Sequence, residues 1–216
     1  MKRPVHGFAL PTLMAMLALA SMATLLAMRN LWVNDQLLNA EADQLRAQHT
    51  AEALLSVALA DILGATTNND GSQNLRHTPG NATQTQAFFP NSVAEYDVLR
   101  QRLGTNICSA GICAPHALNA SATKASYWKS QTASATPISA SHTPHGDNTA
   151  WYWVEVFPQH STNTANATSN PPFVYRITVM TYGVMPGSTY VLQAIWAKNI
   201  DTSLTGQWHS WHALHD

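Results

Sequence analysis

A chain of 216 residues with 12 acidic and 11 basic side chains has almost no net charge, and only 11% of its residues are charged. That balance speaks against both a basic nucleic-acid surface and a site built for an acidic substrate. Once a membrane segment is set aside, the length suffices for one extramembrane domain of ordinary size.

The membrane segment comes first. Phe8 to Met28 is a run of 21 residues without a charge, and as a helix it would be roughly 31 Å long, the thickness of a bilayer's hydrocarbon core. Lys2 and Arg3 lie in the short leader before it, so the positive-inside bias places the amino terminus in the cytoplasm and everything after Arg29 across the membrane. A secretory cleavage site can be drawn at Ala18-Leu19-Ala20 or Ser21-Met22-Ala23, but cutting there would split an apolar run that continues to Met28. A plain single-pass anchor is the other bare reading.

The helix should continue past the membrane. Leu31, Leu38, Leu45, Leu55, Leu59 and Ile62 recur at helical spacing, with Asp35, Glu41, Asp43, Arg46, Glu52 and Asp61 between them. With neither Pro nor Gly between Pro11 and Gly64, residues 29–64 read as an amphipathic continuation of one helix of about 55 residues capped by Gly64. A membrane helix joined by a short break to a separate core helix is the alternative. Either way, the second half packs on a sheet.

Residues 65–86, rich in Asn, Thr, Gly and Gln, read as a loop. A second helix is predicted from Val93 to Leu103, because Ser92 and Glu95 have capping-box spacing and Gly104 closes it, with Val93, Tyr96, Leu99 and Leu103 on its apolar face. Cys108 and Cys113 follow, four residues apart with Gly111 in the turn, a spacing that allows a small disulfide loop in an oxidising compartment. A metal site using both sulfurs and His116 would need a fourth ligand that nothing local supplies. From Ala114 to Ala150 the composition predicts long loops with one short strand at 125–130. Three strands are then predicted at 151–157, 173–183 and 188–198, rich in β-branched and aromatic residues. In the middle one Tyr175, Ile177 and Val179 alternate with Arg176 and Thr178, one face for the helix and one more polar, and 183–187 is short enough for a hairpin. The fold class is α+β, a long helix on an antiparallel sheet.

Several residues invite chemistry. His209, His212 and His215 stand at three-residue steps in the tail, the spacing of one helix face and of a metal site, but a short terminal helix would fray. His142 and His145 lie in a low-complexity stretch. No GxSxG, phosphate loop or HExxH occurs, and after position 97 the carboxylates are Asp147, Glu155, Asp201 and Asp216, a poor supply for a paired-carboxylate or calcium site. No enzyme, cofactor or metal is expected.

A basic leader ending in Gly7, then Phe8 and an apolar helix that merges into an amphipathic one, resembles the class III signal of type IV pilins and type II secretion pseudopilins. The later segments sharpen the likeness: the loop CSAGIC, then YRITVMTYG and VLQAIW in that order, are similar to minor pilins of the PilX type. The resemblance implies a leader at residues 1–7, cleaved after Gly7 by a prepilin peptidase that methylates Phe8, a transmembrane helix at 8–28 and a periplasmic head at 65–216. It implies residence in the inner membrane, then in the pilus, with other minor pilins, the major pilin, the assembly machinery and the lipid bilayer as partners, and a part in priming assembly. The departure is Thr12, at the mature position where major pilins carry Glu. A type II secretion pseudopilin shares leader and helix, although its K-type tip subunit carries a large inserted helical domain. A membrane-anchored adhesin or enzyme outside any fibre is the rival of another class.

Overall fold

The computed structural model describes residues 9–64, 75–77, 80, 86–138, 150–158, 173–198 and 205–216. The chain divides into two compact units, Met1–Asp43 and Gln44–Asp216, and helix α1 (Ala9–Ile62) contributes to both. In the first unit Leu10, Leu13, Met14, Leu17, Leu25 and Leu26 are all exposed. A helix apolar on every side needs lipid or other helices around it. Its few polar groups are satisfied internally: the hydroxyls of Ser21 and Thr24 donate to the carbonyls of Ala18 and Ser21, each at 2.8 Å.

In the second unit α1 buries Ala47, Ala51, Leu54, Leu55, Ala58 and Ile62. The expected stripe was partly wrong, since Leu31, Leu38 and Leu45 are exposed. The face that packs is alanine-rich, and its small side chains share one buried cluster with the large rings of Tyr152, Tyr175 and Trp196 on the sheet. The helix ends as expected at Gly64, which adopts φ 71° and donates its N–H to Asp61 at 3.1 Å.

Helix α2 (Val93–Leu103) is capped by Ser92, whose hydroxyl accepts the N–H of Glu95 at 3.3 Å, while the Glu95 carboxylate accepts from the Asn91 N–H at 2.7 Å. Tyr96, Leu99 and Leu103 are buried, whereas Val93 stays exposed.

The sheet has seven strands among the described residues: β1 (Cys108–Ser109), β2 (Ile112–Cys113), β3 (Thr136–Ile138), β4 (Ala150–Pro158), β5 (Phe173–Tyr182), β6 (Thr189–Lys198) and β7 (Gly206–Ala213). The order is β1-β2-β4-β5-β6-β7, with β3 also on β4; every pairing is antiparallel except β2 with β4. The fold is therefore α+β with a mostly antiparallel, mixed sheet. The three predicted strands are β4, β5 and β6, and the β5–β6 connection is a hairpin closed by Gly183 N–H to Ser188 O at 3.0 Å.

Two expectations are corrected, and a third is extended. Residues 125–130 were expected as a strand, but Ala125–Lys129 is a short helix, α3, because its one fully buried side chain, Trp128, needs a helical turn rather than alternation to reach the sheet. The outer face of β5 is the more polar one, as expected, with Arg176 and Thr178 on it, yet it is buried. Ala122, Ala125 and Trp128 pack on it with Trp153, Met180 and Val191, so Thr178 is as buried as Ile177. The tail is neither helical nor frayed: it forms β7, Leu214 is buried, and its N–H donates to Val191 O at 2.8 Å.

Candidate assembly surfaces

Two exposed apolar surfaces stand out among the described residues. The first is the apolar part of α1. Thr12 lies exposed on it, a neutral hydroxyl among exposed Leu and Met side chains, and Pro11 falls in the first turn, where a missing N–H costs nothing. Gly7 and Phe8 lie outside the described residues. By length and composition α1 can cross a membrane.

The second surface is the β7 edge of the sheet. Ser210 opposes Ile195 but Trp208 opposes Trp196, so His209 is the extra residue of a β-bulge. Trp211 opposes Ala194, and the bulge thus brings two tryptophans three residues apart onto one face, the face α1 covers deeper in the head. Trp208 is 42% and Trp211 64% exposed. Sequence reading missed this edge because WHSWHA does not alternate, and only the bulge makes its period fit a strand. Gly206 begins β7 beneath the Trp196 ring, where a Cβ would stand 2.2 Å from the indole.

Behind these surfaces the head is held by buried polar groups. Asp61, at the end of α1, accepts the Tyr152 hydroxyl at 2.7 Å and pairs with Arg76 Nε at 3.0 Å, which ties the turn at Leu75–His77 to helix and sheet at once. Burial is the main cause that pushes the Tyr152 hydroxyl far above its usual range. Across β4 and β5, Glu155 and Arg176 face each other in register and make two bonds, Nε to Oε2 at 2.5 Å and Nη2 to Oε1 at 2.7 Å. Burial raises the Glu155 pKa despite that partner. On the outer face the Gln193 amide donates to Thr178 Oγ1 at 3.0 Å and to Ala122 O at 3.2 Å.

The sulfurs of Cys108 and Cys113 lie 2.07 Å apart across the β1–β2 hairpin, whose turn places Ala110 at φ 47° and Gly111 at φ 75°, the pattern of a type I′ turn. His209 and His212 are exposed along β7, and His142 and His145 lie outside the described residues. Among the described residues no three His, Cys, Asp or Glu side chains come together as a metal set. Asp216 instead anchors the terminus, accepting from Ser126 N–H at 2.5 Å and pairing with Lys129 at 3.3 Å. The bonds from Ser126 hold its carboxyl below the usual range.

Residues 109–198, from the hairpin to the end of β6, match the model of the type IV pilus assembly protein PilX C-terminal domain. Over that stretch, which is less than half of its length, the chain is similar to this domain. No curated protein and no solved structure matches it. The matched residues contain α3 and strands β2 to β6 and begin one residue after Cys108, within the disulfide hairpin, while α1 and β7, the two contact surfaces, fall outside them. The matched family is one of type IV pilus assembly proteins.

Proposed function

We propose that this chain is a minor pilin that takes part in priming type IV pilus assembly, in a tip complex with other minor pilins. The observation that carries the reading is a PilX domain behind a helix able to cross a membrane. In this proposal the leader at residues 1–7 is removed after Gly7 by prepilin peptidase, which methylates Phe8. Residues 8–28 hold the subunit in the inner membrane, single-pass with its amino terminus cytoplasmic, and the head from 65 to 216 stands in the periplasm until the subunit is drawn into the fibre.

Apolar helices can leave lipid without meeting water only by burying against neighbouring helices. The exposed side chains from Leu10 to Met28 supply that contact, and the Trp208 and Trp211 edge is offered to neighbouring heads. Thr12 removes a charge. A Glu there would need a cationic amino terminus beside it in an apolar bundle, so a subunit with Thr12 can enter without a subunit ahead of it. The test is the mass of the mature amino terminus in the native host: N-methyl-Phe8 is expected, and Gly7→Trp should leave the precursor uncut. An intact leader, or a start near residue 21 or 24, would overturn the pilin reading.

A further inference from the structure

A groove of about 660 Å3 opens between residues 105–110, ahead of the disulfide hairpin's turn, and residues 119–134. It belongs to neither assembly surface. No charged side chain lines it; its walls carry amides and hydroxyls, chiefly Asn106, Asn119, Gln131 and Ser109, and one half-buried aromatic ring, Tyr127. That volume falls within the range of about 300 to 1,000 Å3 typical of small-ligand sites.

The walls are fixed in place before any ligand arrives. Gly111 N–H donates to Ser134 O and the Thr136 hydroxyl to Ala110 O, both at 2.6 Å, which joins the two sides at one end, and the Cys108–Cys113 bond closes the hairpin. Tyr127 is held edge-on by Trp128 at 5.1 Å between ring centroids. The Asn119 Oδ1 is engaged by Ser121 N–H at 2.9 Å, which leaves its NH2 group as the available donor. Cys108 pairs with Cys113 between the hydrogen-bonded positions of the hairpin, where Ala114 N–H meets Ile107 O at 3.1 Å. Its own N–H and C=O therefore point out of the ladder, and Cys108 is among the residues that line the groove.

We propose that this groove binds a neutral oligosaccharide containing N-acetylhexosamine. The C–H face of a pyranose is weakly positive and suits the electron-rich face of Tyr127. The amide groups can donate to and accept from neighbouring hydroxyls at once, and the outward N–H and C=O of Cys108 match the C=O and N–H of an acetamido group. Without a cation in the lining, a sialylated or sulfated sugar gains no partner and pays desolvation.

The experiment titrates triacetylchitotriose into the purified full chain in detergent by calorimetry, with maltotriose as the equal-length sugar lacking acetamido groups and a sialylated trisaccharide as the charged control. Saturable binding of triacetylchitotriose is expected, at least tenfold tighter than either control. Asn106→Ala should weaken it at least tenfold with Tm unchanged, Tyr127→Ala should weaken it at least tenfold, and Trp211→Ala, on β7, should leave Kd unchanged. Absent binding, equal binding of maltotriose, or loss on Trp211→Ala but not on Asn106→Ala overturns the proposal. The exposed Asn106 keeps the test decisive if Tyr127→Ala fails to fold, and none of these outcomes bears on amino-terminal processing.

Discussion

The buried pair Glu155–Arg176 offers the sharpest energetic test of the head. Both side chains are more than nine-tenths buried and joined by two bonds, with the guanidinium 5.4 Å over the Phe157 ring. Removing one partner of such a pair strands a charge in the interior and costs about 3 to 5 kcal/mol, whereas replacing both by apolar residues of similar size is often neutral or stabilising by about 1 to 4 kcal/mol. The raised Glu155 pKa says which applies here, because desolvation outweighs the pull of Arg176 on the carboxylate. Glu155→Leu should therefore cost about 3 to 5 kcal/mol, since arginine cannot shed its proton. Arg176→Met should cost less at low pH, where the orphaned carboxyl can take up a proton. The sign follows from linkage. A carboxyl whose folded pKa lies above its unfolded 4.5 contributes stability that is fully present below that value and is lost as pH rises through the folded pKa. Arg176 lowers the Glu155 pKa, so its removal raises that pKa further, and the penalty of Arg176→Met should grow by up to about 1.4 kcal/mol per pH unit as pH rises from the wild-type to the variant folded pKa. The double variant Glu155→Leu/Arg176→Met is expected at or above wild-type stability. Urea unfolding of the detergent-solubilised chain, followed by tryptophan fluorescence at several pH values, measures all three. A double variant as unstable as Glu155→Leu alone, or both single variants within about 1 kcal/mol of wild type, would refute the reasoning.

Three further outcomes are expected. Gly111→Ala places a Cβ 2.2 Å from Thr136 Oγ1 and 2.8 Å from the Thr136 backbone nitrogen at a positive φ, and should lower stability by about 1 to 3 kcal/mol; an unchanged melting temperature would contradict this. Alkylation of protein exported to the periplasm should find no free thiol before reduction and two after it, and reduction should cost about 2 kcal/mol for so small a loop. Thr12→Glu should leave the protein processed and held in the membrane but impair initiation, because an unpaired carboxylate in lipid costs roughly 2 to 3 kcal/mol. Normal piliation in that strain, or gold label along whole shafts rather than at tips, would remove the tip-initiator role and leave the pilin assignment standing.

Local signals carried much of the architecture. The charge-free run before Arg29, the absence of Gly and Pro between Pro11 and Gly64, the Ser92 and Glu95 spacing and the β-branched runs of β4, β5 and β6 each depend on neighbours within a few residues, and such elements can be read from the chain. The order of CSAGIC, YRITVMTYG and VLQAIW was enough to point to the PilX domain. What depended on partners distant in sequence could not be read that way. Whether Leu45 or Ala47 is buried is decided by which face of α1 the rest of the head covers, and that face is the alanine-rich one. The outer face of β5 looked polar because Arg176 and Thr178 alternate with apolar residues. It is buried because residues 120–135 fold back over it and because Glu155 and Gln193, from neighbouring strands, satisfy those polar groups. The tail looked like a frayed helix until β6 supplied a ladder for it and a bulge at His209 absorbed the odd residue. Propensity and period are local quantities that sequence alone determines, whereas burial belongs to a pair of surfaces and exists only once both have been brought together.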